Sequence, residues 1–254
     1  MFITNEKRYI EENLINSDNV EITKPSNVIN LLARYYINEL DLSEESTYKK
    51  INEFMETHYF GYREANYYQI IDKYIKTARK FPLKKVDYVP ITENEMNIIQ
   101  GVGSKAEQRL LFTLVCIAKY NYLVKPESNG WVNTPDSEIF RMARLTSDLL
   151  TKEGYLGDMI DRGYLENSRS NSKTSVRVTF LDNESPIVLK VDDFRELGYE
   201  YKLYCGEKYI RCHNCNIPIR KTKHNKIYCK KCSIEIKKEK DRIRMLNSRK
   251  QNKI

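Results

Sequence analysis

The chain has 254 residues, of which 41% are hydrophobic and 31% charged, and its mean hydropathy is −0.64. These totals are typical of a folded protein of about one or two domains. They also exclude a membrane protein, because the longest apolar run, residues 110–118, is too short to span a bilayer. The first residues lack the apolar segment of a secretory signal peptide. We therefore expect a cytoplasmic protein without membrane contact, in which paired cysteines bind a metal in preference to forming disulfides.

The charge is unevenly distributed along the chain. Residues 208–254 hold 16 Lys and Arg against 3 Asp and Glu, a net charge of +13, whereas the preceding 207 residues carry −5. A basic end on a mildly acidic body indicates a contact with nucleic acid or a solvated tail.

Residues 1–100 contain a polar segment and then a run of helical patterns. Residues 1–22 are polar and show no clear period, and residues 23–100 read as a small helical domain. Ser43 is a candidate N-cap, and Thr92 with Glu95 forms a candidate capping box. No residues in this part of the sequence indicate a recognisable reaction.

The stretch GVGSK, residues 101–105, superficially resembles a phosphate-binding loop. It lacks the spacing G-x-x-x-x-G-K-[ST], and no strand is predicted before it. We interpret it as a turn between two helices.

Residues 101–182 predict the order helix, short strand, helix, helix, strand, polar loop, strand. The segment LGDMIDRGYLE supplies Leu156, Ile160, Gly163 and Leu165 at the end of the third helix and the following strand. This succession resembles the winged-helix modules of replication initiators and regulators from phages and plasmids. The resemblance implies a mainly α protein with small β elements that acts on DNA in the bacterial cytoplasm or nucleoid.

The resemblance also implies a recognition helix and a wing. The candidate recognition helix, from about Ser147 to Asp161, is acidic, which makes it a poor surface for a groove of phosphates and favours a protein partner there. The wing is basic, and its candidate phosphate contacts are Arg169, Lys173 and Arg177. Residues 183–208 read as a strand-rich connector that includes Cys205, a free structural thiol, and Cys116 reads as a buried apolar residue.

The two C-x2-C pairs are the clearest motif in the chain. Cys212 and Cys215 precede Cys229 and Cys232 by thirteen intervening residues, and four thiolates are the shell that structural Zn²⁺ prefers. We predict one structural zinc ion in a ribbon over residues 209–232, with strands at IPIRK and KIYC around a TKHN turn. Asn214 and Asn216 are expected to occupy left-handed turn positions. His213 and His224 are expected to contact phosphate or solvent and not the metal.

Residues 233–254 form a basic tail that is compatible with a helix to about Arg249. Together with the ribbon loop it supplies the remaining candidate nucleic-acid contacts: Arg220, Lys221, Lys223, Lys226, Lys237, Lys238, Arg242, Arg244, Arg249 and Lys250.

The sequence therefore favours a non-enzymatic DNA-binding protein that serves replication or transcription in a phage or mobile element. Alternatives are a module that binds a host or replisome protein, and an RNA-binding protein. An HNH-like nuclease is the least favoured, because no set of base, nucleophile and metal carboxylates converges. The oligomeric state and the partner of residues 1–100 stay open.

Overall fold

A computed structural model describes residues 2–17, 20–168 and 175–251, and the side chains of residues 246, 247 and 249–251 fall outside that description. The described part is mainly helical, with small antiparallel sheets, as the sequence predicts. It divides into an amino-terminal unit, residues 3–87, and a carboxy-terminal unit, which comprises residue 2 and residues 88–254. Along the described ranges, no helix combines the length and the apolar character needed to cross a lipid bilayer.

The amino-terminal unit consists of helices around one apolar core. Its elements are α1 (Glu6–Ile10), a π-helix (Glu11–Ile15), α2 (Pro25–Asn38), α3 (Glu44–His58), α4 (Glu64–Thr77) and a 3-10 turn (Ala78–Lys80). The Ser43 side chain accepts a hydrogen bond from the Ser46 backbone and caps α3 as predicted. Within the segment that the sequence marks as polar, Ile10 and Leu14 lie one helical turn apart and are both buried in this core.

The carboxy-terminal unit contains the remaining helices and all the named strands of the described chain. In order these are β1 (Val89–Thr92), α5 (Glu93–Gly101), α6 (Lys105–Val124), β2 (Trp131–Val132), α7 (Asp136–Met142), α8 (Leu149–Asp161), β3 (Leu165–Asn167), β4 (Val176–Val178), β5 (Ile187–Val191), α9 (Leu197–Tyr204), β6 (Tyr209–Arg211), β7 (Pro218–Arg220) and α10 (Lys230–Gln251). The sheets pair β1 with β5, order β2-β4-β3, and pair β6 with β7, all antiparallel. Helix α6 is buried over most of its length and is central to the core.

The boundary between the units differs from the predicted one at residue 100. Strand β1 pairs with β5, and α5 packs on α6, so both belong with the later part of the chain. The predicted capping box of Thr92 and Glu95 is present, and a second one joins Ser104 and Glu107 at the start of α6. The GVGSK stretch is thus the turn between two helices, as we interpreted it.

Residues 183–208 are not a strand-rich connector. They contain one strand, β5, and one helix, α9, which packs against α6. Leu197 and Tyr201 of α9 are buried, and the Tyr201 ring lies 5.4 Å from the Phe112 ring of α6. The Tyr201 hydroxyl donates to Gln108 Oε1 at 2.9 Å, and Gln108 Nε2 donates to two carbonyls at the end of α5. The segment is therefore part of the core of its unit.

A buried ion pair joins α5 to α6. Lys119 Nζ lies 2.9 Å from Glu95 Oε2, and both side chains are almost fully buried. Glu95 also accepts hydrogen bonds from the backbone amides of Thr92 and Asp182, and Lys119 donates to the Asp182 carbonyl at 2.7 Å. The pair is thus surrounded by partners that satisfy its remaining polar atoms, as a buried charge requires.

Helix α9 also makes a close backbone contact with the end of α7. A Cβ atom added at Gly198 would lie 2.2 Å from the Ala143 carbonyl oxygen. That oxygen also accepts a hydrogen bond from Arg109 Nε at 3.2 Å, so it cannot move away from an added Cβ without lengthening this bond. Only glycine fits between these two elements at this distance.

We predict that Gly198→Ala destabilises the carboxy-terminal unit by about 1–3 kcal/mol, because α9 must move away from Ala143. The matched control is Gly154→Ala on α8, where no atom lies within 4 Å of the added Cβ. That change should stabilise by up to about 1 kcal/mol, since alanine loses less backbone entropy in a helix. Urea unfolding of both variants checks the prediction, and equal effects would contradict it.

We also predict that Lys119→Met lowers the free energy of unfolding by about 3–5 kcal/mol, because it leaves the Glu95 carboxylate buried without its cation. Adding Glu95→Gln to this variant should restore part of the loss, since the uncompensated charge disappears. Denaturant unfolding of the single and double variants gives the comparison. A double variant less stable than Lys119→Met would argue that hydrogen bonding, and not charge, dominates the pair.

Candidate metal centre and the adjoining basic surface

The first cysteine pair lies in the turn of the hairpin formed by β6 and β7. Ile210 faces Ile219 across the hairpin. The Cys212 amide donates to the Ile217 carbonyl at 2.9 Å, and the Asn216 amide donates to the Cys212 carbonyl at 2.9 Å. Asn216 has a φ of 58°, so the prediction of a left-handed residue is right there. Asn214 has no positive φ, and its side chain instead donates to the Cys232 sulfur at 3.3 Å.

The second pair lies at the start of α10, which begins at Lys230. The Cys229 amide donates to the Cys212 sulfur at 3.2 Å, and the Cys232 amide donates to the Cys229 sulfur at 3.3 Å. The predicted strand at KIYC is therefore wrong: the hairpin strand β7 pairs with β6, and KIYC leads directly into a helix. Two residues spaced i, i+3 share one face of a helical turn, so this pair also converges on one point.

The four sulfur atoms form a group that could hold a metal ion. They lie within 4.8 Å of one another, and three of the four cysteines are buried. The Cys215 and Cys229 sulfurs are 3.8 Å apart. A tetrahedral shell with Zn–S bonds of about 2.3 Å separates its sulfurs by about 3.8 Å, whereas a disulfide needs about 2.05 Å. The arrangement thus fits metal coordination and not a disulfide.

The surroundings of the cysteines favour different charge states at different sulfurs. Burial acts to raise the pKa of Cys212, but backbone N–H groups of Cys215, Cys229 and Asn214 outweigh it and lower that pKa to about 6. Burial raises the pKa of Cys215 and of Cys232. Four thiolates this close repel one another, so a bound cation is what would allow all four to ionise. Metal affinity should accordingly fall as the pH is lowered.

Side chains outside the four cysteines anchor the hairpin to α9. Arg211 on β6 pairs with the buried carboxylate of Glu200 and donates to the Asn216 carbonyl at 3.3 Å. Burial raises the pKa of Glu200, and the Arg211 guanidinium opposes that rise. Arg195 donates to the Cys215 carbonyl at 3.2 Å. None of these three residues was predicted from the sequence, and only Arg211, beside the first cysteine, carried a local signal.

The hairpin and cysteines have little apolar core of their own. The buried residues of this cluster are three of the cysteines and Ile219, with Ile210, Ile217 and Tyr228 partly buried against them. Such a small core cannot supply much folding energy, so a bound metal would have to supply a large part of it.

Basic side chains surround the cysteine group on the hairpin and along α10. Those that are exposed on the hairpin and its loop are Arg220, Lys221 and Lys223, and Lys226 is half-buried. The predicted contacts on α10 that are exposed are Lys237, Lys238, Arg242 and Arg244, and Lys230, Lys231 and Lys240 of the same helix are exposed as well. Arg242 pairs with Glu239 and Arg244 with Asp241. The side chains of Arg249 and Lys250 lie outside the described part, although both residues belong to α10.

The candidate wing contacts are only partly described. Arg169 and Lys173 lie outside the described residues. Arg177 on β4 faces Glu166 on β3 across the sheet, and its guanidinium pairs with that carboxylate at 2.9 Å. A phosphate at this position would have to compete with Glu166.

The other cysteines and the histidines of the carboxy-terminal unit do not belong to the group of four cysteines. Cys116 is fully buried on α6, as expected. Neither Cys205 nor His213 belongs to the group of metal-binding candidates. His213 contacts the Tyr228 ring edge-on at 6.2 Å, and His224 is exposed in the loop after β7.

No protein family, curated protein or solved structure significantly matches this chain.

We predict that protein purified under reducing conditions without chelator carries one metal ion per chain and that Cys229→Ser removes it. Loss of one ligand opens the shell, and the hairpin and the start of α10 should become exchange-labile while the α6 core stays protected. Metal analysis and hydrogen exchange measure the two effects. Cys205→Ser is the matched control, because that thiol lies outside the group and its loss should leave the metal bound. Wild-type protein that contains no metal after this purification would contradict the prediction.

Proposed function

We propose that this chain is a non-enzymatic nucleic-acid-binding protein, with DNA favoured over RNA. The observation that carries the proposal is the concentration of positive charge around the cysteine group. Residues 208–254 carry +13 and the other residues −5, and the described bases of the hairpin and α10 are mostly exposed. Phosphate contacts by such a surface release counterions and bind nucleic acid of any sequence.

The cysteine group is, in this proposal, a structural zinc site. Four cysteine ligands fill a tetrahedral shell and leave no position for a reacting water, so the metal would stabilise the fold and take no part in chemistry. Cys212 and Cys215 would hold it from the hairpin, and Cys229 and Cys232 from α10. The metal would thereby join the two basic elements, Arg220 with Lys221 on one side and α10 on the other.

We further propose that α6 to β4 form a winged helix. Support comes from the element order and from the strand order β2-β4-β3, in which the last strand lies between the other two. In this interpretation α8 occupies the position of the recognition helix and the β3–β4 connection that of the wing, and the wing is the element that contacts DNA. The role that fits best is control of replication or transcription, in a phage or another mobile element.

Two observations bear on the alternatives. The exposed face of α8 is acidic, which favours a protein partner at that helix over a DNA groove. A nuclease of the HNH type needs a catalytic metal site besides the cysteines, and among the described residues the four cysteines are the single group of metal ligands found. The same basic surface would also bind RNA, and the titration below distinguishes RNA from DNA.

The test neutralises four exposed bases in the full-length protein: Arg220→Gln, Lys221→Gln, Lys237→Gln and Lys238→Gln. If these contact phosphates, the slope of log affinity against log salt for duplex DNA should become flatter by about 3 to 4. Affinity should fall for all sequences alike, because phosphate contacts carry no base information. Titration of labelled duplex DNA, and of RNA of the same sequence, at two salt concentrations measures both effects.

The control neutralises four exposed lysines of the amino-terminal unit, Lys49, Lys50, Lys73 and Lys80, with the same change in net charge. It should leave the slope nearly unchanged. Equal losses in the two variants would show a general effect of net charge, and unchanged binding in the first variant would move the contact away from the hairpin and α10. Stronger binding to RNA than to DNA would decide for the RNA alternative.

A further inference from the structure

Helix α8 exposes a face that is apolar at one end and acidic along its length. Leu149 and Leu150 are 61% and 80% exposed, although the same helix buries Leu156 and Met159. The exposed charged side chains of α8 are all acidic: Glu153, Asp158 and Asp161. Its one basic residue, Lys152, lies over the Phe140 ring at 5.7 Å and so belongs to the buried side.

Nucleic acid does not fit this face. Carboxylates repel phosphates, and a phosphate backbone offers no apolar surface to cover two adjacent exposed leucines, whose burial would be favourable. The matching partner is a basic segment that also presents apolar side chains, so that the leucines are covered and the carboxylates are paired.

This chain contains a segment of that kind. Helix α10 exposes apolar Ile234, Ile243 and Met245 among its lysines and arginines. In the described part of the chain it forms no extensive contact with another helix or strand. It is about 33 Å long against about 20 Å for α8, at 1.5 Å per residue, so α8 can lie along more than half of it.

We propose that α8 of one copy docks against α10 of a second copy. Ile234 and Met245 lie about three turns apart on one side of α10. The leucines at the start of α8 contact one of these two apolar residues, and the acidic residues of α8 pair with the bases between them. If the contact is made in both directions it closes a two-fold dimer. Because the paired charges are exposed, the association is weak and sensitive to salt.

The inference stands independently of the proposed function, but the two share α10. A polyanion that occupies the bases of α10 removes the partner of α8. Nucleic acid should therefore dissociate the self-associated form, and the self-associated form should bind nucleic acid less well.

The experiment is sedimentation velocity of full-length, metal-loaded protein over a range of concentrations at low salt. The wild type should self-associate. The variant Glu153→Gln, Asp158→Asn, Asp161→Asn should do so about tenfold more weakly, since three exposed ion pairs are lost. Leu149→Ser with Leu150→Ser should also weaken it without unfolding the chain, because both side chains already face solvent.

A matched control removes three exposed acids of α3, Glu45, Glu53 and Glu56, by changing each to Gln. This variant has the same net charge as the α8 variant and should associate like the wild type. Equal weakening in both would show non-specific attraction between a basic end and an acidic body, and would overturn the proposal. A monomeric wild type at low salt would overturn it as well.

Mixing provides a second check. One variant carries Glu153→Lys, Asp158→Lys and Asp161→Lys on α8. The other carries Lys237→Glu, Lys238→Glu and Arg244→Glu on α10. Each alone should be monomeric, whereas the mixture keeps one native α8–α10 contact and should form a heterodimer. A mixture that stays monomeric contradicts the contact. The proposed function and the docking proposal can fail separately. If the wild type does not bind nucleic acid, the proposed function is refuted, and the sedimentation result still decides the docking. The α8 variants keep every base of α10, so their nucleic-acid binding should not be weakened.

Discussion

The carboxy-terminal unit depends on the buried pair of Glu95 and Lys119. The carboxylate gathers the amides of Thr92 and Asp182, and the ammonium reaches the Asp182 carbonyl, so one ion pair fixes the start of α5, the middle of α6 and the segment after β4. A charge pair in this position adds less net stability than well-packed apolar groups would. What it does provide is structural specificity. Hydrogen bonds of defined geometry are compatible with one arrangement of the three segments, whereas apolar contacts are compatible with several.

From this core a series of contacts leads to the cysteine group. Helix α9 packs on α6 and touches the end of α7 at Gly198, and its Glu200 holds Arg211 beside the first cysteine. The Tyr199 ring contacts Tyr209 of the hairpin at 4.9 Å and lies under Arg144 at 5.1 Å. The hairpin is thus seated on the same unit as α7 and α8 and is not an appendage on a loose linker.

Local signals predicted well, and long-range contacts did not. The cysteine spacing, the caps at Ser43 and Thr92 and the order of elements from α6 to β4 depend on neighbours in sequence, and each could be read from the residues. The ribbon was misread because C-x2-C fits a tight turn and the first turn of a helix equally well. The anchoring by Arg195 and the unit boundary at residue 87 depend on partners 20 or more residues away, for which one sequence carries no signal.

The helical state of α10 has an entropic consequence. Ordering a backbone residue costs about 1–2 kcal/mol, and a disordered tail of this composition would have to meet that cost on binding any partner. In α10 the residues Lys230–Gln251 are already helical, and the second cysteine pair lies at the start of this helix. The entropic cost of ordering this segment is therefore met when the protein folds. A partner that binds α10 as a helix finds it preorganised, whereas a partner that needs the segment to bend or wrap gains nothing from the helix.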